Sequence, residues 1–263
     1  QIHKLEFENM SENLVKDLPT GTITFLLTDI EGSTALWEQH PESMRTALVR
    51  HDSIFDAAVD GHSGVHVRPR GEGDSRFAVF EDAVNAVEAA VEVQEKLAAE
   101  NWEMPTPLRV RIGVHTGVAD LRMGDYYGSV VNRSARLRGL GHGGQLLISL
   151  TTKELVQDNL PAGVSLEDLG SHSLKGLTRP ENIFQLLIPG LPQEFPPLKT
   201  LENLPNNLPA QTTQFIGRVK ELAEINGIFK KRDVRLVTLT GPGGTGKTRL
   251  SQEAAGEMLG DFP

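Results

Sequence analysis

Asp29 is the first side chain whose type and position suit phosphate chemistry. It follows an apolar run, Phe25-Leu26-Leu27, and precedes the turn Glu31-Gly32-Ser33-Thr34. A carboxylate at a strand end can ligate a hard cation such as Mg²⁺. The turn offers backbone N–H groups at a helix start, where the dipole favours phosphate, and Gly32 permits close backbone approach. The alternative is that Ser33 or Thr34 only caps the helix while Asp29 is solvated.

A second carboxylate lies in a glycine-rich hairpin. Asp74 follows Gly71 and Gly73 in "RGEGDSRFAVF". By itself this pattern is typical of a turn in which the aspartate stabilises the turn conformation. Together with Asp29, however, it predicts two carboxylates at neighbouring strand ends, which can hold two Mg²⁺ ions about 4 Å apart.

An amide and a guanidinium stand four residues apart in "GDYYGSVVNRSARL". Asn132 and Arg136 therefore project from one face of the helix predicted over residues 129–139. Such a pair can bind a ribose and a charged phosphoryl group. The alternative for this pair alone is a solvated helix face.

A separate phosphate-binding pattern lies near the end of the chain. "GPGGTGKT" places Gly241, Gly246, Lys247 and Thr248 in the spacing G-x-x-x-x-G-K-T, after the predicted strand "VRLVTLT" and before a helix. This context favours a P-loop, whose backbone N–H groups and lysine bind nucleotide phosphates.

The composition excludes several classes of protein. The chain has 263 residues, of which 38% are hydrophobic, carries a formal net charge of −9 and contains no cysteine. Disulfides, zinc–thiolate sites and cysteine catalysis are thereby excluded, and the acidic balance argues against non-specific binding to DNA or anionic membranes. No membrane span or signal peptide is visible, so we expect a cytoplasmic protein without membrane contact.

Periodicity predicts an α+β fold in most of the chain. A buried strand is expected at 22–28, a strand of alternating polarity at 107–119 and a further strand at 144–149, and the hairpin around Asp74 supplies two more. Amphipathic helices are expected at 42–62, 81–100 and 128–140, with a further helix and the strand "IFQLLIP" closing the domain. The predicted organisation is a tail partly derived from cloning sites, the α+β domain, a proline-rich linker and the start of a P-loop α/β domain, at residues 1–18, 19–188, 189–212 and 213–263.

Three segments, "TDIEGST", "GEGD" and "DYYGSVVNRSAR", together resemble the catalytic domains of class III adenylyl and guanylyl cyclases. The similarity covers nearly the whole first domain. It implies a ferredoxin-like βαββαβ core and a head-to-tail homodimer with active sites in the interface. It also implies conversion of ATP to 3′,5′-cyclic AMP and pyrophosphate with two Mg²⁺ or Mn²⁺ ions per site.

The resemblance assigns a role to each matching position. Two carboxylates and a backbone carbonyl hold the metals, at Asp29, Asp74 and Ile30. The turn with Gly32, Ser33 and Thr34 cradles the β- and γ-phosphates, and a further phosphate contact comes from Lys175. Asp125 accepts from the adenine amino group, beside Arg70. Asn132 orients the ribose and Arg136 stabilises the pentavalent phosphorus; these two and the purine contacts come from the partner protomer.

Two departures from the family pattern carry expectations of their own. Arg70 stands where the family has a purine-reading lysine, so selection of ATP over GTP is expected to be loose. Ser75 and Arg76 stand where smaller or apolar residues are typical, which predicts reduced activity. The alternative function is a weakly active or degenerate cyclase domain that binds nucleotide and regulates the attached ATPase.

The second domain resembles the entry to AAA-like or STAND-type signalling ATPases, through "FIGRVKELAEI" and the P-loop. Such modules are often fused behind cyclase domains in longer regulators. This domain is therefore expected to be an incomplete, inactive fragment, with DNA binding confined to domains absent from this chain.

Overall fold

A computed structural model of the chain describes residues 18–68, 73–174, 180–200, 208, 215, 217–229 and 234–258. The chain divides into two compact units, Gln1–Leu198 and Lys199–Pro263. Among the helices in these described ranges, none is long and apolar enough to cross a bilayer.

The first unit is built on a mixed sheet. Its strands are β1 (Thr22–Ile30), β2 (Val65–Val67), β3 (Arg76–Phe80), β4 (Val110–Val118), β7 (Leu146–Ser149), β8 (Ser165–His172) and β9 (Glu181–Leu187). A separate two-stranded sheet is formed by β5 (Asp120–Arg122) and β6 (Asp125–Tyr127). The helices of this unit are α1 (Ser33–Gln39), α2 (Pro41–Gly61), α3 (Ala83–Ala99), α4 (Ser129–Leu140) and α5 (Leu150–Val156).

Strand order in the large sheet is β2-β3-β1-β4-β7-β9-β8. The first four strands pair antiparallel, whereas β4 and β7 pair parallel. The α+β fold is thereby confirmed, and the segment from β1 to β4 has the β2-β3-β1-β4 order of a βαββαβ core.

Strand β1 is buried on both faces, which explains its continuous apolar run. Leu26 and Ile30 face a core that includes residues of α2 and α3. Phe25 and Leu27 face a second cluster with Tyr126 of β6 and residues of α4. A strand between two helical layers needs no polar face, so hydrophobic burial holds it at the centre of the sheet.

Three differences from the sequence-based elements are informative. Strand β1 extends to Ile30, so Asp29 lies inside the strand and not beyond its end. Strand β8 was not predicted, because its residues are polar and mostly exposed. The predicted strand at 234–240 is wrong: these residues have no strand structure. A strand requires a partner to complete its hydrogen bonds, and no described residue of the second unit supplies one.

In the second unit, α6 (Val219–Phe229) packs against α7 (Lys247–Met258). The contact is a small apolar cluster that includes Leu222, Ile225, Leu250 and Met258.

Candidate active site

Asp29 is held in place by an arginine on the neighbouring strand. The β1–β4 register sets Asp29 opposite Arg111. Arg111 Nε donates to Asp29 Oδ1 at 2.7 Å, and Arg111 Nη2 donates to Oδ2 at 2.6 Å. The arrangement is a bidentate, charge-assisted pair. The carboxylate is therefore fixed in direction before any ligand arrives.

A second guanidinium reaches the same carboxylate from α4. Arg138 Nε lies 3.5 Å from Asp29 Oδ2. Arg138 Nη1 donates to the carbonyl oxygen of Thr28 at 3.3 Å and to Ser75 Oγ at 3.4 Å. Arg138 therefore links the end of β1 to the residue that follows Asp74. We call Asp29, Asp74, Ser75, Arg111 and Arg138 the carboxylate corner.

A glycine lets α4 approach the sheet closely enough for this link. A Cβ atom added at Gly113 of β4 would lie 2.6 Å from the backbone nitrogen of Arg138. Since that neighbour is backbone, a larger residue would push the helix away. Gly113 thus determines the backbone position from which the Arg138 side chain extends towards Asp29 and Ser75.

Asp74 lines a cavity together with the turn after β1. The cavity, of about 410 Å³, is formed by Gly73, Asp74, Ser33, Thr34, Trp37 and Glu38. Asp74 is only 5% exposed. Within the described residues its carboxylate makes no hydrogen bond or ion pair, and carboxylate oxygens of this kind are hard ligands suited to Mg²⁺.

The turn after β1 depends on a glycine and an internal hydrogen bond. Gly32 caps α1 with φ 70° and ψ 19°, a left-handed conformation that favours glycine. The side chain of Glu31 accepts from the backbone nitrogen of Gly143 at 3.0 Å. No side chain caps the helix. The alternative in which Ser33 or Thr34 caps α1 is therefore wrong. Ser33 is buried and Thr34 is exposed.

Ile30 contributes to this site only through its main chain. Its side chain is 1% exposed and belongs to the core. The carbonyl of Ile30 remains a candidate ligand by its position at the end of β1.

Asp125 opens β6, in the hairpin that precedes α4. Its Oδ1 accepts from the backbone nitrogen of Tyr126 at 2.8 Å. Tyr126 is fully buried and its hydroxyl donates to the carbonyl of Pro19 at 2.7 Å. The ring lies edge-on to Phe25, with centroids 5.5 Å apart. This anchoring fixes the strand that carries Asp125.

Asn132 and Arg136 lie on the outer face of α4. Both are exposed, whereas Val130, Ser134 and Leu137 on the opposite side are buried. In the part of the chain that the structure describes, neither side chain has a hydrogen bond or an ion pair. No described contact joins Asp125, Asn132 or Arg136 to the carboxylate corner of the same chain.

Two predicted substrate contacts, Arg70 and Lys175, lie outside the described residues. Among the described residues there is also no cluster of three or more His, Asp or Glu side chains suited to a metal. Of the two residues in the second departure noted in the sequence, Ser75 joins the carboxylate corner. Arg76 instead pairs with Asp56 of α2 and lies over the ring of Phe55.

Sequence reasoning missed Arg111 and Arg138. The signal for Arg111 was an arginine between the buried apolar residues Val110 and Ile112, which favours a half-buried acidic partner. Arg138 carried no comparable signal, because its partners depend on how α4 packs on β4.

Sequence reasoning also missed a buried polar network behind the site. His115 Nδ1 lies 2.6 Å from Ser149 Oγ, and Thr116 Oγ1 lies 3.1 Å from Thr152 Oγ1. Burial lowers the pKa of His115 to about 4, with repulsion from Arg133 adding to the effect. The histidine is therefore neutral and structural near neutral pH.

In the second unit, the glycine-rich loop precedes α7. Lys247 Nζ donates to the carbonyl oxygens of Gly241 and Pro242, at 2.8 Å and 2.6 Å. Gly246 has φ 74°, a conformation that favours glycine. Thr248 follows Lys247 in the first turn of α7. The lysine of the loop thus forms hydrogen bonds with carbonyl oxygens of the same loop.

Comparisons with known proteins agree with this architecture. The family model of the adenylate and guanylate cyclase catalytic domain matches residues 15–188. An uncharacterized protein of Mycobacterium tuberculosis is 45% identical over 206 residues, which cover 78% of this chain and 70% of that protein. A receptor-type adenylate cyclase of Trypanosoma equiperdum is 29% identical over 242 residues, covering 76% of this chain and 51% of the relative.

Two solved structures share the fold. An adenylate cyclase of Trypanosoma brucei, studied in its monomeric state, is similar with a TM-score of 0.62 and 28% identity, covering 70% of this chain and 96% of the other. An adenylate/guanylate cyclase/hydrolase from Silicibacter pomeroyi gives a TM-score of 0.56 and 28% identity, covering 66% and 99%. With its α+β fold and a family match over the first unit, the chain belongs to the adenylate and guanylate cyclase catalytic domain family.

Proposed function

We propose that the first unit is an adenylate cyclase that converts ATP to 3′,5′-cyclic AMP and pyrophosphate at the interface of a homodimer. The observation that carries this proposal is the division of the candidate residues. Asp74 lines a cavity beside the turn after β1, and Arg138 links Asp29 to Ser75, the residue next to Asp74. Asn132 and Arg136, in contrast, are exposed and have no side-chain partner among the described residues. Two copies arranged head to tail would bring the two sets together.

The donor set fits divalent cations. Asp74 has a carboxylate without a described partner, beside the hydroxyl groups of Ser33 and Thr34. Asp29 shares its oxygens with Arg111, yet a carboxylate has about four lone-pair positions and can accept further ligands. Asp29, Asp74 and the carbonyl of Ile30 would hold the metals. When bound, such ions activate the ribose hydroxyl and neutralise the leaving phosphates.

The remaining residues bind and orient the substrate. The backbone of the turn after β1 faces the β- and γ-phosphates, and Gly32 leaves room because nothing lies within 4 Å of its missing side chain. Asn132 of one protomer orients the ribose so that its 3′-hydroxyl is in line with the α-phosphorus. Arg136 donates to the phosphoryl oxygens, where charge accumulates during the displacement.

Asp125 is proposed to accept from the adenine amino group. The arrangement favours ATP over GTP by about 1–3 kcal/mol, because a guanine carbonyl would face a carboxylate and leave it unpaired. Arg70 is proposed to donate to the purine ring and Lys175 to the triphosphate.

The test is product analysis with the full chain. Incubation with ATP or GTP and either Mn²⁺ or Mg²⁺ should give cyclic AMP and pyrophosphate with ATP, and less product with GTP. Equal kcat/KM for both nucleotides would show that Asp125 does not read the base. Formation of a nucleoside diphosphate and phosphate instead would exclude cyclisation as the reaction.

One observation favours a second candidate function. Two guanidinium groups approach Asp29, which opposes metal binding there. A domain that binds nucleotide but turns over slowly would then act as a regulatory module. Binding of ATP without any cyclic product, at both Mn²⁺ and Mg²⁺, would favour this candidate.

The second unit is proposed to contain a phosphate-binding P-loop. Lys247 now donates to carbonyls of its own loop and would transfer these bonds to phosphate oxygens. Changing Lys247→Ala in the full chain should weaken binding of ATP to this unit while cyclic AMP formation stays unchanged. If cyclic AMP formation fell with it, the two activities would not be separate.

A further inference from the structure

Arg138 places a positive charge in the carboxylate corner, where the proposed function needs metal ions. Its guanidinium contacts Asp29, the carbonyl of Thr28 and the hydroxyl of Ser75 at 3.3–3.5 Å. The side chain is 20% exposed. These contacts connect β1, which carries Asp29, with Ser75, the residue that follows Asp74 just before β3. The guanidinium therefore lies beside Asp29 Oδ2, an oxygen that an ion would also use.

The position of Arg138 is fixed by the fold. Its backbone lies against Gly113 so closely that an added Cβ would be 2.6 Å from the Arg138 nitrogen. Its Nε atom is buried, has no hydrogen bond within the described ranges and lies 3.5 Å from Asp29 Oδ2. The close packing of α4 on β4 therefore determines where the Arg138 side chain starts, and its contacts place the guanidinium beside Asp29.

The carboxylate corner has two guanidinium groups beside the Asp29 carboxylate. Asp29 is already neutralised by the bidentate Arg111, at 2.6 and 2.7 Å. Among the described residues, Arg138 forms an ion pair only with the same Asp29 carboxylate. One carboxylate thus faces two cations, and a divalent ion at Asp29 would be repelled by both. Repulsion between charges a few ångströms apart in a partly buried site is strong.

We infer that Arg138 is a positioning residue that lowers the affinity of the carboxylate corner for divalent cations when no nucleotide is present. The inference rests on the proposed function, since it takes Asp29 and Asp74 as metal ligands. Its consequence is that the ions are held mainly when the anionic triphosphate is bound, because the phosphates supply the negative charge that Arg138 offsets.

The test measures metal binding and not turnover. The full chain without nucleotide is titrated with Mn²⁺, and free Mn²⁺ is followed by electron paramagnetic resonance. Wild type is expected to bind weakly, while Arg138→Gln should bind at least about tenfold more tightly because one repelling charge is gone. Arg138→Lys keeps the charge and should stay within about threefold of wild type.

Control variants separate the local effect from net charge. Arg45→Gln removes the same charge from an exposed pair with Glu42 on α2 and should leave Mn²⁺ affinity unchanged. Adding Asp29→Asn to Arg138→Gln should abolish the gained binding. If Arg138→Gln does not fold, as judged by thermal melting, Arg138→Met serves as the second neutral variant.

Several outcomes would overturn the inference. They are micromolar Mn²⁺ binding by wild type, unchanged or weaker binding by the neutral variants, and equal tightening by Arg45→Gln. Each is distinct from failure of the proposed function, which appears as absence of cyclic AMP from wild type and ATP. A protein that makes cyclic AMP but shows no effect of Arg138 would retain the function and exclude this role.

Discussion

The carboxylate corner and the outer face of α4 both carry proposed active-site residues, but these residues differ in burial and in their contacts within the chain. In the corner, Asp29 is buried, accepts two hydrogen bonds from Arg111 and forms an ion pair with Arg138. On α4, Asn132 and Arg136 are exposed, and within the described part of the chain they have no partner. Buried polar groups must be satisfied within the fold, whereas exposed ones are free to bind something else. The difference agrees with the proposed dimer, in which the carboxylate corner is held by contacts within one chain and the outer face of α4 contacts a second protomer.

The largest expected effect is the loss of either proposed metal ligand. Asp29→Asn and Asp74→Asn should each lower cyclisation by about a thousandfold or more, since both carboxylates would hold the ions that activate the reaction. Their effects on stability should differ. Asp29→Asn leaves Arg111 and Arg138 without a counter-charge and should lower the melting temperature. Asp74→Asn removes a buried carboxylate without a described partner and should not.

Steady-state kinetics and thermal melting of the two variants measure both effects. Near-normal turnover in either one would remove that residue from the metal site. Equal melting temperatures would show that the arginine contacts of Asp29 do not stabilise the fold.

Substitution of Arg136 tests the role of the outer face of α4. Arg136→Ala should lower kcat by about 10²–10³-fold, as expected for one electrostatic group that acts on the transition state. KM for ATP should change much less, because the ground-state triphosphate is held elsewhere. The melting temperature should stay the same, since Arg136 is exposed, has no hydrogen bond or ion pair with a described residue, and such side chains contribute at most about 0.5 kcal/mol.

The matched control on the same helix is Arg133, which forms an ion pair with the buried Glu181 at 3.2 Å. Arg133→Ala should lower stability, the reverse of the pattern for Arg136. An unchanged kcat for Arg136→Ala would leave Arg136 a solvated surface residue and favour the regulatory nucleotide-binding function.

The buried His115 of β4 predicts a dependence of stability on pH. Burial lowers the pKa of His115 to about 4, with repulsion from Arg133 as the second cause. The unfolded chain has the ordinary pKa and therefore takes up the proton at higher pH. The contribution to stability is complete above about pH 6.5 and is lost as the pH falls to about 4, which amounts to about 3 kcal/mol.

Urea unfolding at pH 7.5 and 5.0 measures the part of this loss that falls between the two values, about 2 kcal/mol. His115→Gln should show a smaller loss than wild type between the two values. Burial raises the pKa of the Glu181 carboxyl and works in the opposite direction, since the folded protein then takes up the proton first. Equal losses in wild type and His115→Gln would show that His115 is not the group responsible.

The sequence predicted most of the fold of the first unit because its helices and buried strands have clear periodicity. It did not predict β8, whose half-exposed polar residues give no such pattern, and it wrongly predicted a strand at 234–240. For the site, the residue types and motif spacing identified Asp29, Asp74, Asn132 and Arg136 as candidates.

The contacts among the candidates could not be derived in the same way. Asp29 and Arg111 are 82 positions apart and meet only because β1 and β4 pair in one register. Arg138 reaches Asp29 because Gly113 lets α4 approach the sheet. Strand register and helix packing are tertiary properties, and no local pattern of residue types encodes them.

Mixing two inactive variants gives the smallest expected effect, and it is the most direct test of why the two regions differ. If the carboxylate corner of one protomer meets the outer face of α4 of another, an Asp29→Asn protomer still supplies an intact Arg136. An Arg136→Ala protomer still supplies an intact Asp29. Random pairing of equal amounts gives half heterodimers, each with one complete site, so the mixture should recover about a quarter of wild-type specific activity. Each variant alone should be almost inactive. Specific activity of the wild type should also rise with protein concentration, because a monomer has no complete site. If sedimentation confirms heterodimers and the mixture stays inactive, each chain must build its own site, and the exposure of Asn132 and Arg136 would need another explanation.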